Sequence, residues 1–208
     1  MLVLASRSPR RAELLRAAGI RFRIAAPEEA DVPPAATTKG YARLVVQAAL
    51  EKARSVAAHT EGVVLGADTV VVCDKIVLGK PSSRAEAGRM LGLLSGRWHM
   101  VHTGVALVCG KRHETGHECT GVAFRELSKS EISRYLASGE PMDKAGAYAI
   151  QGAGAAFVRA IRGCYTNVVG LPVPLVLRLL EEFGEAGTAR GGRAGRRLGR
   201  RSRNKRGS

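Results

Sequence analysis

Leu2-Val3-Leu4-Ala5-Ser6-Arg7-Ser8-Pro9-Arg10-Arg11-Ala12-Glu13-Leu14-Leu15 opens the chain and decides its class. Leu2 to Ala5 is a short apolar run of strand type, and Ser8-Pro9 is an N-cap followed by proline at N1. A helical pattern then runs to Gly19, which stands at C′. Strand, loop and helix in this order predict an α/β protein, and the remainder agrees. Phe22 to Ala25 reads as a second strand before a loop holding Pro27, Pro33 and Pro34. From Gly40 to His59, Leu44, Val45, Ala48, Ala49 and Val56 recur at helical spacing. Val63 to Leu65 and Thr69 to Cys73 are apolar, largely β-branched runs around Gly66-Ala67-Asp68, which predicts a strand carrying its polar residue at a bend or mouth.

A helix is expected over Ser83 to Leu94. A hairpin is expected from Gly104 to Val108 and Cys119 to Phe124, flanking a polar connection. Ser128-Lys129-Ser130-Glu131 is a capping box starting a helix to about Ser138. Strands near Ala147 to Ile150 and Ala156 to Ile161 and a last helix from Pro172 to Phe183 complete a mixed-strand pattern without an internal repeat.

With 208 residues, 45% of them hydrophobic, the chain is long enough for one sizeable core. Aromatics make up only 4%, so the core rests on Leu, Val, Ile and Ala, and no platform for stacking single-stranded bases is indicated. No apolar run approaches the roughly 20 residues of a spanning helix. Met1 leads straight into the first strand with neither a basic flank nor a cleavage site, so a cytoplasmic protein without a membrane partner is expected. Cys73, Cys109, Cys119 and Cys164 form no CxxC and are expected as free thiols. The net charge of +15 suggests a polyanionic partner, but residues 188–208 hold nine Arg and Lys and no acid. The expected organisation is a domain over 1–187 and a basic, disordered tail over 188–208, with weak nucleic-acid contact through the tail.

Four constellations carry chemistry. In Leu4 to Arg11, a strand ends in hydroxyl residues at a helix N-terminus. Free N–H groups, a positive dipole end and fork-shaped guanidinium groups there suit an anion; a capped helix with solvated arginines is the alternative. In Gly66-Ala67-Asp68-Thr69-Val70-Val71, a carboxylate lies between segments that would otherwise be buried, where charge is costly unless it meets a metal or cation. Asp68 is thus the best single candidate for catalysis, against a plain turn aspartate. Leu78-Gly79-Lys80-Pro81 lets backbone approach a ligand while the ammonium supplies a point charge, or is an exposed loop turn. In Asp143 to Gly152, Lys144 suits phosphate with Asp143 holding it, and Gln151 both donates and accepts, as reading a base edge requires. A salt-bridged turn and a strand-end amide are the alternatives.

Other patterns carry less. Cys109, His113, His117 and Cys119 fit no standard zinc spacing and read as hairpin residues; His99 and His102 read as strand residues. There is neither a GxxxxGK[ST] phosphate loop nor a GxSxG nucleophile elbow.

Taken in order, LASRSPRR, GADTVV, LGKP, LSGRWHMVHTGV, DKAGAYAIQG and NVVGLP resemble the Maf family over about Leu2 to Phe183. The resemblance implies an elongated mixed α/β sheet with a deep cleft between two lobes, similar to the inosine-triphosphate pyrophosphatase architecture, and commonly a homodimer. It also implies hydrolysis of nucleotides to a monophosphate and pyrophosphate with a divalent cation, Mg²⁺ or Mn²⁺. By position, Asp68 resembles the proton acceptor and a metal ligand. Ser6, Arg10, Arg11, Lys52, Lys80 and Lys144 resemble the phosphate and metal environment, Lys52 through the family's EKA segment. Arg10, Thr69 and Gln151 resemble the branch acting on dTTP and UTP; the branch acting on methylated GTP has a Gln after the Asp and a Glu in the later motif. For the family's second acid, Glu28, Glu29 and Asp31 compete, with Glu29 and Asp31 carried forward as metal ligands. A different class of function, a nucleic-acid-associated or cell-division regulator acting through its basic tail, is the rival reading.

Overall fold

A computed structural model describes residues 1–27 and 40–191. The elements are β1 (Leu2–Ala5), α1 (Pro9–Ala17), β2 (Phe22–Ile24), α2 (Tyr41–Ala57), β3 (Val63–Cys73), β4 (Ile76–Leu78), α3 (Arg84–Leu94), β5 (Trp98–Cys109), β6 (Arg112–Phe124), α4 (Lys129–Ala137), β7 (Val158–Arg162), α5 (Tyr165–Val169) and α6 (Val173–Gly191). They build one seven-stranded mixed sheet in the order β2-β1-β3-β5-β6-β7, with β4 paired to β3. β1 runs parallel to β2 and β3, and the other pairings are antiparallel.

The parallel part is buried on both faces, which is why β1 reads as an unbroken apolar run. Leu2 and Leu4 pack with Ala12 and Leu15 of α1 and with Leu175, Val176 and Leu179 of α6. Val3 and Ala5 turn the other way, onto Ala49, Ala53 and Val56 of α2. Two glycines let α2 lie directly on the sheet: a Cβ on Gly66 would sit 2.2 Å from the Ala49 carbonyl oxygen, and one on Gly104 would sit 2.2 Å from that of Val45. A separate core joins Val71, Val101, Val122 and Phe124 to α3, α4 and Tyr148. Between it and the α1–α6 core the sheet turns polar, with Thr69 and Thr103 side by side and their hydroxyls 3.0 Å apart.

One feature of strand length creates the site. β1 ends at the pair Ala5–Gly66, and β4 begins at Val71–Leu78. Residues 67–70 of β3 therefore pair with neither strand on that edge. The gap opens at the carboxyl end of a parallel strand and the N-terminus of the following helix, where α/β sheets bind ligands.

Several expectations need correction. Of the bend or mouth expected for Asp68 only the mouth stands: β3 is continuous, and Asp68 lines the cavity at a gap beside it. The hairpin is far longer than its apolar segments, 98–109 and 112–124, because the polar stretch His113 to Glu118 is strand whose side chains are only partly covered. β4 follows a turn in which Asp74 and Lys75 both have positive φ; that turn lacks the usual glycine and left no sequence signal. Ala147 to Ile150 is not a strand: Ala145–Ala147 is a 3₁₀ turn with Gly146 at φ +70°, followed by backbone outside the sheet ladder. α6 continues to Gly191, beyond the expected helix end at Phe183. The capping box at Ser128 and Glu131 has both of its hydrogen bonds.

Candidate active site

A cavity of about 660 Å³ occupies the gap. Ser6, Arg10, Arg11, Lys52, Asp68, Thr69, Lys80, Lys144 and Gln151 all line it, although they come from five separate segments. Glu28, Glu29 and Asp31 lie outside the described residues.

Asp68 points to the α2 face, where Lys52 projects from the helix that Gly66 and Gly104 admit. Lys52 Nζ donates to Asp68 Oδ1 at 2.6 Å, with side-chain exposures of 10% and 14%. At that burial the pair is shielded from water, unlike an ordinary surface ion pair. The charge of a carboxylate in a strand is thereby balanced while one edge stays open to the cavity.

Arg11 is held by protein acceptors on four sides. Its Nε donates to the Gly170 carbonyl (2.9 Å), Nη1 to the Ala67 carbonyl (2.8 Å) and Ser6 Oγ (3.2 Å), and Nη2 to Thr69 Oγ1 (3.2 Å). It ties α1 to the end of β1, to the unpaired part of β3 and to the turn after α5. Ser6 Oγ also accepts the Ser8 N–H at 3.2 Å. Ser8 stands at the N-cap of α1, with Pro9 following it, but its side chain makes no capping bond.

The opposite wall is cationic. Arg10 Nη1 lies 3.5 Å from Asp143 Oδ2. Lys144 Nζ donates to Asp143 and, at 2.7 Å, to the Glu140 carbonyl. Burial pushes the Asp143 carboxyl up, but the Lys144 hydrogen bond and the Lys144 and Arg10 charges outweigh it and hold the group below its usual range. The Gly146 N–H donates to the Gly79 carbonyl (3.0 Å), which fixes the Lys80 loop against the 144–147 turn. Gln151 is exposed at the cavity rim, between buried Ile150 and exposed Gly152.

Sequence reasoning passed over the support. Asn167 is fully buried and donates to the Val101 carbonyl (3.0 Å) and Thr120 Oγ1 (2.9 Å), fixing the α5 turn whose Gly170 carbonyl holds Arg11. Its signal was the NVVGLP run, which names no chemistry for an amide. His117 and Cys119 flank the His102 ring, at 3.0 Å from Nδ1 and 3.7 Å from Nε2, on two sides and not around one point. Among the described residues, no group of three or more His, Cys, Asp or Glu is arranged to hold a metal.

The Maf-like protein family model matches residues 1–183, the whole of the sheet and the cavity. The chain belongs to the Maf family. Among its Maf relatives, the dTTP/UTP pyrophosphatase of Symbiobacterium thermophilum is 54% identical over 184 residues, 88% of this chain and 94% of that protein. The dTTP/UTP pyrophosphatase of Gloeobacter violaceus is 50% identical over 184 residues, 88% of this chain and 95% of that protein. Among solved structures, the Staphylococcus aureus Ham1 protein aligns over 89% of this Maf chain and 98% of its own at 12% identity and a TM-score of 0.47, a likeness too slight to add to the fold described above.

Proposed function

We propose that this Maf protein hydrolyses dTTP and UTP to the nucleoside monophosphate and pyrophosphate. The observation that carries the reading is the Lys52-balanced Asp68 carboxylate facing a cavity whose other wall presents Arg10, Lys80 and Lys144. The Maf relatives of about 50% identity are named for this activity. Their names supply the substrate class, and the cavity supplies a place for a triphosphate and a proton acceptor.

In this reading the phosphates lie along the Ser6-to-Arg11 turn, with Lys80 and Lys144 sharing their charge. Asp68 takes a proton from water as its oxygen attacks the α-phosphorus. The bond from that phosphorus to the α–β bridging oxygen breaks, and pyrophosphate leaves with the bridging oxygen. Asp68 presents a hard oxygen donor, which suits Mg²⁺ or Mn²⁺, and Glu29 or Asp31 would complete the set. When bound, that ion neutralises phosphate charge and lowers the pKa of water. The chain's own residues position the nucleotide and hold the proton at the Asp68 carboxylate. Thr69 is bonded to Arg11 and Thr103, so its hydroxyl is fixed where the sugar or base enters.

Gln151 is assigned to the base: a pyrimidine with O4 and N3–H pairs with its amide donor and acceptor, and CTP, with an amino group and no N3–H, does not. We also take the protein to work in the cytoplasm, as a homodimer, with the basic segment beyond α6 giving weak nucleic-acid contact. Among the described residues no helix is long and apolar enough to cross a membrane. The regulator reading is not favoured, since it leaves the Asp68 and Lys52 pair and the cationic wall without a role.

The test is hydrolysis of UTP and dTTP in H₂¹⁸O with and without Mg²⁺. The label is expected in the monophosphate. Label in pyrophosphate, or release of single phosphates, overturns attack at the α-phosphorus.

A further inference from the structure

The segment Ala149 to Gly154, which presents Gln151, has no ladder partner among the described residues and is held by other means. Its amides are accepted by two side chains that do not line the cavity. The Ala149 N–H donates to the Tyr135 hydroxyl at 3.1 Å. The Ala153 N–H donates to Glu140 Oε2 at 3.2 Å and the Gly154 N–H to Glu140 Oε1 at 3.4 Å. Tyr135 in turn donates its hydroxyl proton to Glu140 Oε1 at 2.9 Å. The two side chains therefore grip the segment on both sides of Gln151 and are bonded to each other.

The grip is anchored. Tyr135 is 5% exposed, sits in the core beside α3 and meets Phe157 edge-on at a centroid distance of 4.9 Å. Burial, chiefly, pushes its phenol up, so it stays a donor. The glycines of the segment match the two side chains: a Cβ on Gly152 would lie 2.6 Å from Glu140 Oε1, and one on Gly154 would lie 2.9 Å from the Tyr135 hydroxyl. Gly152, at φ +153°, also adopts backbone that other residues avoid. Glu140 reaches the phosphate wall as well, since its carbonyl accepts Lys144 Nζ.

We infer that Tyr135 and Glu140 are positioning residues for base discrimination, holding the Gln151 segment at the distance from the phosphate wall that a pyrimidine nucleotide spans. This rests on the assignment of Gln151 to the base. Displacement of a bound group by about 1 Å can cost 100-fold, so loss of either side chain should be read in selectivity long before the fold fails.

The experiment compares Tyr135→Phe, Glu140→Gln, Gln151→Ala and the Tyr135→Phe/Gln151→Ala double variant. Tyr135→Phe keeps the ring and its packing, and Glu140→Gln keeps the carbonyl that holds Lys144. For each, kcat and KM are measured on UTP, dTTP and CTP at fixed Mg²⁺, with Tm confirming the fold. Both single positioning variants are expected to raise KM for UTP and to lower the UTP-to-CTP ratio of kcat/KM by about tenfold or more, with kcat changed far less. In the Gln151→Ala background, Tyr135→Phe is expected to lower the ratio no further, because both act through one contact.

Folded positioning variants that keep the wild-type ratio while Gln151→Ala loses it overturn the positioning role, as does an equal loss on all three substrates. A Gln151→Ala protein that keeps the ratio instead overturns the assignment of Gln151 to the base, and with it the inference.

Discussion

Gly66→Ala tests whether close approach of α2 to the sheet is what places Lys52 on Asp68. The added Cβ would lie 2.2 Å from the Ala49 carbonyl oxygen and 2.9 Å from both the Ala53 Cβ and the Ala53 nitrogen. Two of the three are backbone atoms, and no side-chain rotation can move them. An ordinary contact to a Cβ is 3.4–4 Å, so α2 must retreat from the strand by about 1 Å or more. Overpacking of this kind costs about 1–3 kcal/mol, which lowers Tm by about 2–12 °C in a chain of this size. Lys52 lies one residue from Ala53 on the displaced turn and follows it. The 2.6 Å bond to Asp68 would then open beyond hydrogen-bond range, and kcat should fall by up to about 100-fold. Gly92→Ala is the control: it sits in α3 with nothing within 4 Å of an added Cβ, and should stabilise by about 1 kcal/mol without changing turnover. The assay is calorimetry beside pyrophosphate release from UTP. A Gly66→Ala protein with wild-type Tm and kcat would refute the close-packing account of the Asp68 site.

Asp68→Asn should lower kcat by about 100-fold or more while nucleotide binding, followed by titration calorimetry, survives; near wild-type turnover at saturating metal removes Asp68 from the mechanism. Burial holds the His99 imidazole down at about 4. The unfolded chain therefore takes up its proton first as pH falls below 6.5, and the group withdraws up to about 3 kcal/mol of stability between pH 6.5 and 4. Urea denaturation across that range should show a shallower acid loss in His99→Gln than in wild type, and equal slopes would exclude His99 as the cause. Removal of residues 192–208, which leaves α6 whole, should not change Tm or kcat but should weaken salt-sensitive retention on DNA; a large drop in Tm would show that the domain needs this segment.

Legibility followed how local each cause is. The opening strand and helix, the capping box at Ser128, and α2 with its apolar stripe are set by near neighbours, and they were readable. The motif residues that line the cavity were also readable, because each has a chemical character that its segment alone does not explain. The length of the β5–β6 hairpin was not, since His113 to Glu118 is held extended by its pairing with Thr103 to Val108 of β5 and not by its own pattern. β4 was missed because Asp74 and Lys75 adopt positive φ without glycine. Tyr135 and Glu140 gave no signal at all: their partners are backbone amides 13 to 14 residues away, which no side-chain pattern encodes.

The position of Asp68 shows how these two kinds of cause combine. A carboxylate in the middle of an eleven-residue strand with pairing along both edges would be buried against apolar neighbours and would have no access to water. Here β1 stops at Ala5 because Ser6 to Pro9 turns into α1, and β4 starts at Val71 because the Asp74–Lys75 turn returns only three residues. The four-residue gap left between them gives Asp68 an open edge without breaking β3. Lys52 then neutralises it from the α2 side, where Gly66 and Gly104 have removed the side chains that would keep the helix away. Arg11 closes the other side of the gap by taking the Ala67 and Gly170 carbonyls and the Thr69 hydroxyl. The site is therefore a consequence of two strand lengths and two missing side chains, and lengthening either neighbouring strand would bury the carboxylate even with every motif residue in place.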